Sequence, residues 1–276
     1  MRLFGLVTRY VSNGCKRIGG ACFRIAQRLD ALLPALFSPT HLSRLTHVHY
    51  EDSYRDASGH YSAAAYGTGL LEWEEDVLVH HKIVSGTTMV LGAGVGRESI
   101  EFARRGLRVI GLDISQDALR LAALTAQKRS THITLVQASF YDIPTLPACI
   151  DYIFLSGIMY SSIPGRQARQ AWLRRLQTHL RSGGLAVLNY YIYLDRTEPL
   201  TDRPAYTLNS WLAGLPGANP SYQPGDLVSH DHFLHAFLSE EELRSELTEA
   251  GATIVQLNWD KQFAVLTWLH EPVCSG

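Results

Sequence analysis

The chain has no apolar run of about 18 residues, the length a helix needs to cross a bilayer, so no membrane-spanning helix is expected. It also has no paired cysteines. Cys15, Cys22, Cys149 and Cys274 are scattered and form no C-x-x-C pair, which excludes a zinc ribbon and a disulfide framework. They read as reduced thiols of a cytoplasmic protein. An excess of either charge is missing too. Lys and Arg number 25 against 26 Asp and Glu, a net charge of −1, so no global field draws the chain to nucleic acid or anionic lipid. No internal repeat or low-complexity tract occurs. What remains is 46% hydrophobic and 18% charged, enough apolar material for a packed core and too much for disorder.

The most informative stretch is 88–115. A short apolar run, Met89 to Leu91, enters Gly92-x-Gly94-x-Gly96. About twenty residues on, the typical spacing of a nucleotide-binding unit, Val109, Ile110 and Leu112 lead into Asp113. Strand, glycine turn, helix, strand and acid make a βαβ unit suited to a nucleoside. Glycines let the backbone approach a ligand with no Cβ in the way, and the following helix aims its first amides at the ligand. Asp113 can accept hydrogen bonds from two ribose hydroxyls; the bland alternative, a helix cap, suits Ser115 better. A dinucleotide fingerprint needs a third glycine where this chain has Arg97.

The wider pattern extends the unit. A helix is expected over about 69–83, strands at 88–92, 107–112, 132–136, 150–155 and 185–191, and helices at 97–105, 116–128 and 166–181. Gly183-Gly184 reads as the turn between the last helix and strand five. Residues 41–66, rich in His, Tyr and small side chains, look irregular. So does the proline-rich stretch 194–236, long enough for a functional lid. Ser239-x-x-Glu242 is a capping box opening a helix that ends near Gly251, and strands at 253–257 and 263–268 close the chain. The expected organisation is a helical extension at 1–45 and one α/β domain at 46–276. That domain is a seven-stranded, mostly parallel, doubly wound Rossmann-like sheet with one antiparallel strand.

The G-x-G-x-G turn, Asp113 and the ordered segments after them resemble the class I S-adenosylmethionine-dependent methyltransferases over about residues 66–270. The resemblance implies S-adenosylmethionine as cofactor, with Gly92, Ala93, Gly94 and Gly96 near its methionine and ribose parts. It also implies Asp113 on the ribose hydroxyls and Ile114 against the adenine face. After strand three the family carries an acid for the adenine amino group. Ser139 stands there instead, and the Phe140 amide is the candidate for adenine N1, although Phe140 can equally be core. The exit of strand four, Ser156-Gly-Ile-Met-Tyr160, is implied beside the sulfonium, with Ser156 on the cofactor and Asp151 in a structural role. That exit lacks the Asn/Asp-Pro-Pro-aromatic sequence used on nucleobases, and no basic run lies near it, so a small-molecule O or N acceptor is expected and nucleic acid is not.

Tyr61, Tyr66, Tyr160 and Tyr190-Tyr191-Ile-Tyr193 can supply an aromatic acceptor pocket, Tyr160 being a candidate catalytic residue. His230-Asp-His232-x-x-His235 matches no metal spacing, so no metal is expected. His235 is a candidate base from a closing lid; packing inside the lid is the competing role. The first acid, Asp30, is preceded by Arg2, Arg9, Lys16, Arg17, Arg24 and Arg28 among apolar residues at helical spacing. Membrane-surface association of this segment competes with packing on the domain, and Gly14, Gly19 and Gly20 favour packing. Two functional alternatives stay open: a non-catalytic S-adenosylmethionine-binding protein and a nicotinamide-dependent oxidoreductase.

Overall fold

The computed structural model describes residues 29–52, 69–144, 149–193, 204–229 and 232–269. The basic segment before residue 29, Tyr61, Tyr66, His230, Asp231 and residues 194–203 of the expected lid lie outside them. Contacts divide the chain into two compact units. One holds the sheet and gathers 50–160, 170–190 and 243–276; the other gathers 1–49, 161–169 and 191–242.

In the sheet unit, apolar runs bounded by glycine and polar turns become strands. β1 (Thr87–Leu91), β2 (Arg108–Asp113), β3 (Thr134–Gln137), β4 (Ile150–Leu155) and β5 (Leu180–Asn189) run parallel, and β8 (Thr253–Asn258) and β9 (Phe263–Thr267) complete the sheet. The order is β3-β2-β1-β4-β5-β9-β8, with β9 antiparallel to both of its neighbours. This is the expected seven-stranded, mostly parallel sheet. Met89, Val90 and Leu91 are fully buried, as a parallel strand covered on both faces requires. Helices α3 (Glu72–His80), α4 (Arg97–Arg104), α5 (Gln116–Lys128), α6 (Arg166–Gln177) and α8 (Glu240–Glu249) are interleaved along the chain. Val77, Phe102 and Leu107 join Val90, Phe154 and Val265 in one apolar cluster.

Ser115 caps α5 by accepting the Ala118 N–H at 3.3 Å. The start of β5 differs from expectation: it lies at Leu180, before the two glycines. Ile150 faces Leu180 and Tyr152 faces Leu185, so residues 181–184 bulge out of the ladder, with Gly183 at φ +74°. The glycines relieve a bulge inside the strand rather than ending a helix.

In the second unit, α1 (Leu33–Leu36) and α2 (Pro39–Asp52) precede α7 (Pro204–Ala213) and a hairpin of β6 (Asp226–Ser229) and β7 (His232–His235). Both stretches expected to be irregular therefore contain helices. α2 has weak helix formers, yet Leu42 and Thr46 are buried on its inner side. Thr46 Oγ1 donates to Leu42 O and accepts the Phe233 N–H, each at 3.1 Å. Leu33, Phe37, Leu42 and Phe233 form one core; Ala35, Leu36 and Leu212 form another. Asn209 and Asn219 donate side-chain N–H groups to Ala31 O and Pro34 O, both at 2.8 Å. Residues 31–46 are thus built into the segment that follows β5, a packing role for this part of the leading region.

Candidate functional site

The turn after β1 takes its shape from backbone that only glycine adopts easily. Gly92, Gly94 and Gly96 have φ of +74°, +50° and +84°. A Cβ on Gly92 would collide with Met159 Sδ, and one on Gly96 would stand 3.0 Å from Ala122 Cβ. The Gly92 and Ala93 amides both donate to Leu112 O at 2.9 Å, which ties the turn to the end of β2. The next residue there is Asp113. Its Oδ2 accepts the Gly94 N–H at 2.7 Å and its Oδ1 accepts the Ser115 N–H at 2.8 Å. Burial pushes the carboxyl upward, and these backbone bonds offset part of that rise. An ionised carboxylate takes about four hydrogen bonds, so acceptor capacity remains on both oxygens for a vicinal diol. Ile114 follows, and its carbonyl receives Gln137 Nε2 at 3.2 Å.

Beyond β3, Ser139 Oγ accepts the Tyr141 N–H at 3.2 Å. Phe140 is buried: its carbonyl takes the Trp172 indole N–H at 2.8 Å, with the two rings 6.2 Å apart. The Phe140 side chain is therefore core. Beyond β4, the Ser156 N–H bonds Leu91 O at 2.9 Å and its hydroxyl donates to Glu98 Oε1 at 2.6 Å. Asp151, at the start of β4, accepts the Thr87 N–H at 2.6 Å and pairs with Arg181, a structural fastening.

The glycine turn, Asp113 and the β4 exit share the carboxyl edge of the parallel strands, on either side of β1 where the strand order reverses, the usual ligand position in such sheets. Residues 89–184, which hold all three, match the methyltransferase domain family. The chain carries a methyltransferase domain on a class I sheet.

Solved structures share its fold. The 1,6-didemethyltoxoflavin-N1-methyltransferase of Burkholderia thailandensis, with 1,6-didemethyltoxoflavin and S-adenosylhomocysteine bound, superposes with a TM-score of 0.60 at 16% identity, covering 85% of this chain and 92% of its own. An S-adenosylmethionine-dependent methyltransferase of Clostridium acetobutylicum gives 0.53 at 11% identity, over 72% and 90%. One from Methanosarcina mazei gives 0.51 at 18%, over 70% and 98%. No curated protein matches the chain in sequence. The cofactor is S-adenosylmethionine, and the chain is an enzyme.

The two candidate catalytic residues of the methyltransferase are both inside cores. Tyr160 is fully buried and its hydroxyl donates to Glu246 Oε1 at 2.6 Å. His235 is fully buried between two acids, Nδ1 at 2.7 Å from Asp226 Oδ1 and Nε2 at 3.2 Å from Glu242 Oε1. Both ring nitrogens are thus engaged by carboxylates inside the core, and the geometry favours its packing role over that of a base. Glu242 N–H meets Ser239 Oγ at 3.1 Å, so the serine cap forms, but the glutamate carboxylate turns to Leu238 N–H and His235 instead of closing the box.

Of the other expected aromatics, Tyr190 is buried with its hydroxyl on Asn258 O at 2.9 Å. The Tyr191 amide donates to Ser161 Oγ at 2.9 Å, and the Tyr193 amide to Phe237 O at 3.0 Å. His232 stacks on His49 at 4.3 Å. Among the described residues, no group of His, Cys, Asp and Glu is arranged to hold a metal, and no helix is long and apolar enough to cross a membrane.

The His235 cluster has a consequence for stability. Burial and the Arg169 charge oppose the imidazolium, yet the bonds to Asp226 and Glu242 outweigh them and raise the pKa of His235 above its usual 6.5. A raised histidine stabilises the fold fully below its unfolded pKa, and that contribution is lost as pH climbs through the folded value. Glu242 is half-buried, but His235 holds it below its usual 4.5, so its contribution is lost on acidification instead. Thermal melts of the wild type should therefore fall off from pH 6.5 upward, and His235→Gln should flatten that alkaline limb. An equally steep limb in the variant would remove His235 as its source.

Sequence reading missed the side chains behind the turn. Arg97 stood out only as a bulky residue in place of a glycine, and Glu74 not at all. Arg97 Nη1 and Nη2 grip Glu74 at 2.7 Å each, and Nη2 also bonds Glu98 Oε1 at 2.7 Å. The local signal was Glu98 itself, an acid in the first turn of a helix at a ligand site.

Proposed function

We propose that this methyltransferase moves the methyl group of S-adenosylmethionine to an O or N atom of a small molecule. The observation that carries the reading is the β4 exit: Ser156-Gly-Ile-Met-Tyr160 leaves the strand beside the glycine turn without a polar-Pro-Pro-aromatic clamp for a flipped base. A net charge of −1 adds no phosphate-binding field. The similar Burkholderia enzyme, whose fold covers 85% of this chain, acts on a small heterocycle at nitrogen. Arg97 in place of the third glycine, with its guanidinium anchored on Glu74, speaks against a nicotinamide cofactor.

The bound cofactor supplies an electrophilic methyl on a cationic sulfur, ready for in-line displacement. The chain's residues bind and orient. Asp113 fixes the ribose end while its second task, holding the Gly94 amide, keeps the turn in shape. Gly92 leaves the turn open where a Cβ would strike Met159. Ser156, held by Glu98 and Leu91 O, fixes the exit of β4. Fixing both ends of the donor converts the transfer into an aligned, effectively unimolecular step.

Incubation with methyl-labelled S-adenosylmethionine and a fractionated small-molecule extract tests this. Label should appear in an organic-extractable, acid- or base-resistant O- or N-methyl product. Label found only in added RNA, DNA or protein would overturn the acceptor class.

A further inference from the structure

Three charged side chains behind the glycine turn do not balance. Glu74 and Glu98 share the one guanidinium of Arg97, whose Nη1 also donates to Gly69 O at 3.1 Å. The exposed fractions of the three side chains are 3%, 7% and 10%, so water screens them poorly. Two carboxylates and one guanidinium leave a buried net charge of −1. The excess registers at Glu74, whose carboxyl rises mainly by burial and further through the Glu98 charge, against the pull of Arg97. A single acid would have satisfied Arg97 at far lower desolvation cost.

The excess is also directed. Glu98 Oε1 holds the Ser156 hydroxyl, and Ser156 Cβ lies 3.7 Å from the position a Cβ on Gly92 would occupy. The negative charge therefore sits directly behind the two backbone segments, turn and β4 exit, that border the cofactor's methionine end. S-adenosylmethionine reaches that place with a sulfonium and carries one positive charge more than the neutral thioether S-adenosylhomocysteine that transfer leaves behind.

We infer that the Glu74–Arg97–Glu98 cluster is a charge selector: its net negative charge, brought to the end of β4 through Ser156, favours the sulfonium cofactor over the demethylated product and eases product release. The inference deepens the methyltransferase reading and rests on it. Glu98 acts through the field and through Ser156, as a positioning and selectivity residue. The cluster loses its attraction for the ligand at the step that consumes the sulfonium, when exchange is needed.

Calorimetric titration of wild type, Glu98→Gln and Glu74→Gln with each ligand tests it, alongside thermal melts. Each substitution removes one unit of negative charge with little change of shape. Each should lower the ratio of S-adenosylhomocysteine to S-adenosylmethionine dissociation constants about tenfold, almost entirely by weakening the sulfonium ligand. Glu98→Asp, which keeps charge and shortens reach, should preserve most of that ratio. Parallel weakening of both ligands in the two Gln variants, or no change in the ratio, would overturn the selector. Should Glu98→Gln fail to fold, Glu74→Gln still decides, since it removes the same charge and leaves the Ser156 bond intact. A wild type that binds neither ligand would instead overturn the cofactor assignment, a different failure.

Discussion

Gly94→Val should abolish cofactor binding while lowering the melting temperature by only several degrees. Gly94 sits at φ +50° and donates its N–H to Asp113 Oδ2 at 2.7 Å. A β-branched residue is a genuine outlier at positive φ; forcing one there costs on the order of 1–3 kcal/mol. In a chain of this size each kcal/mol moves Tm by about 2–4 °C, so the sheet survives. Binding does not, because the substitution acts twice on the turn. It presses the backbone out of the conformation that meets Asp113, and it puts a branched side chain where the main chain must lie close to the ligand. Calorimetry with S-adenosylhomocysteine and a circular-dichroism melt would check both halves. Normal affinity in a folded variant would take the turn out of the site.

Much of the sheet was legible because its signals are local. β1 ends in an apolar run, Met89 to Leu91, between Thr88 and Gly92, and α5 has a serine at its cap. Glycine at positive φ after β1 needs no tertiary information to be suspected. Elements that depend on what they pack against were not legible. α2 is written in Thr, His and Tyr, and tertiary partners hold it: Phe233 bonds Thr46 from 187 residues away. α7 hides in a proline-rich stretch whose Pro204 starts the helix, where a missing N–H costs nothing. The glycine pair of β5 read as a turn because a bulge and a turn use the same residue.

The site divides the same way. Gly92, Gly94, Gly96 and Asp113 lie within one βαβ unit, so spacing alone brings them together. The Glu98–Ser156 bond spans 58 residues and the Arg97–Glu74 pair 23, and no periodicity announces either. His235 shows the converse: a histidine ahead of a capped helix leaves chemistry and packing both open, and its two carboxylate partners, Asp226 and Glu242, become visible only once β6, β7 and α8 are folded.

Asp113→Ala should weaken S-adenosylmethionine by about 2–3 kcal/mol, the loss of two charge-assisted hydrogen bonds, or roughly 30- to 150-fold at 1.4 kcal/mol per decade. The structure adds a second loss, since the same carboxylate braces the Gly94 and Ser115 amides from its two oxygens. Asp113→Asn should therefore recover only part of the affinity: the amide oxygen can still accept, while its NH₂ group would face a backbone donor. Burial raises the carboxyl above its ordinary range, and its backbone hydrogen bonds work against the rise. Only the ionised form can accept from both hydroxyls. Wild-type affinity should thus fall on acidification through that raised pKa, earlier than an exposed aspartate would dictate, and the fall should vanish in Asp113→Ala. Calorimetric titrations across pH 4 to 8, comparing S-adenosylhomocysteine with its 2′-deoxyribose analogue, would test the assignment at the atom concerned. In wild type the analogue should bind more weakly than the parent ligand, and in Asp113→Ala the two should bind alike. An alanine variant that still distinguishes them would move the ribose contact to another residue.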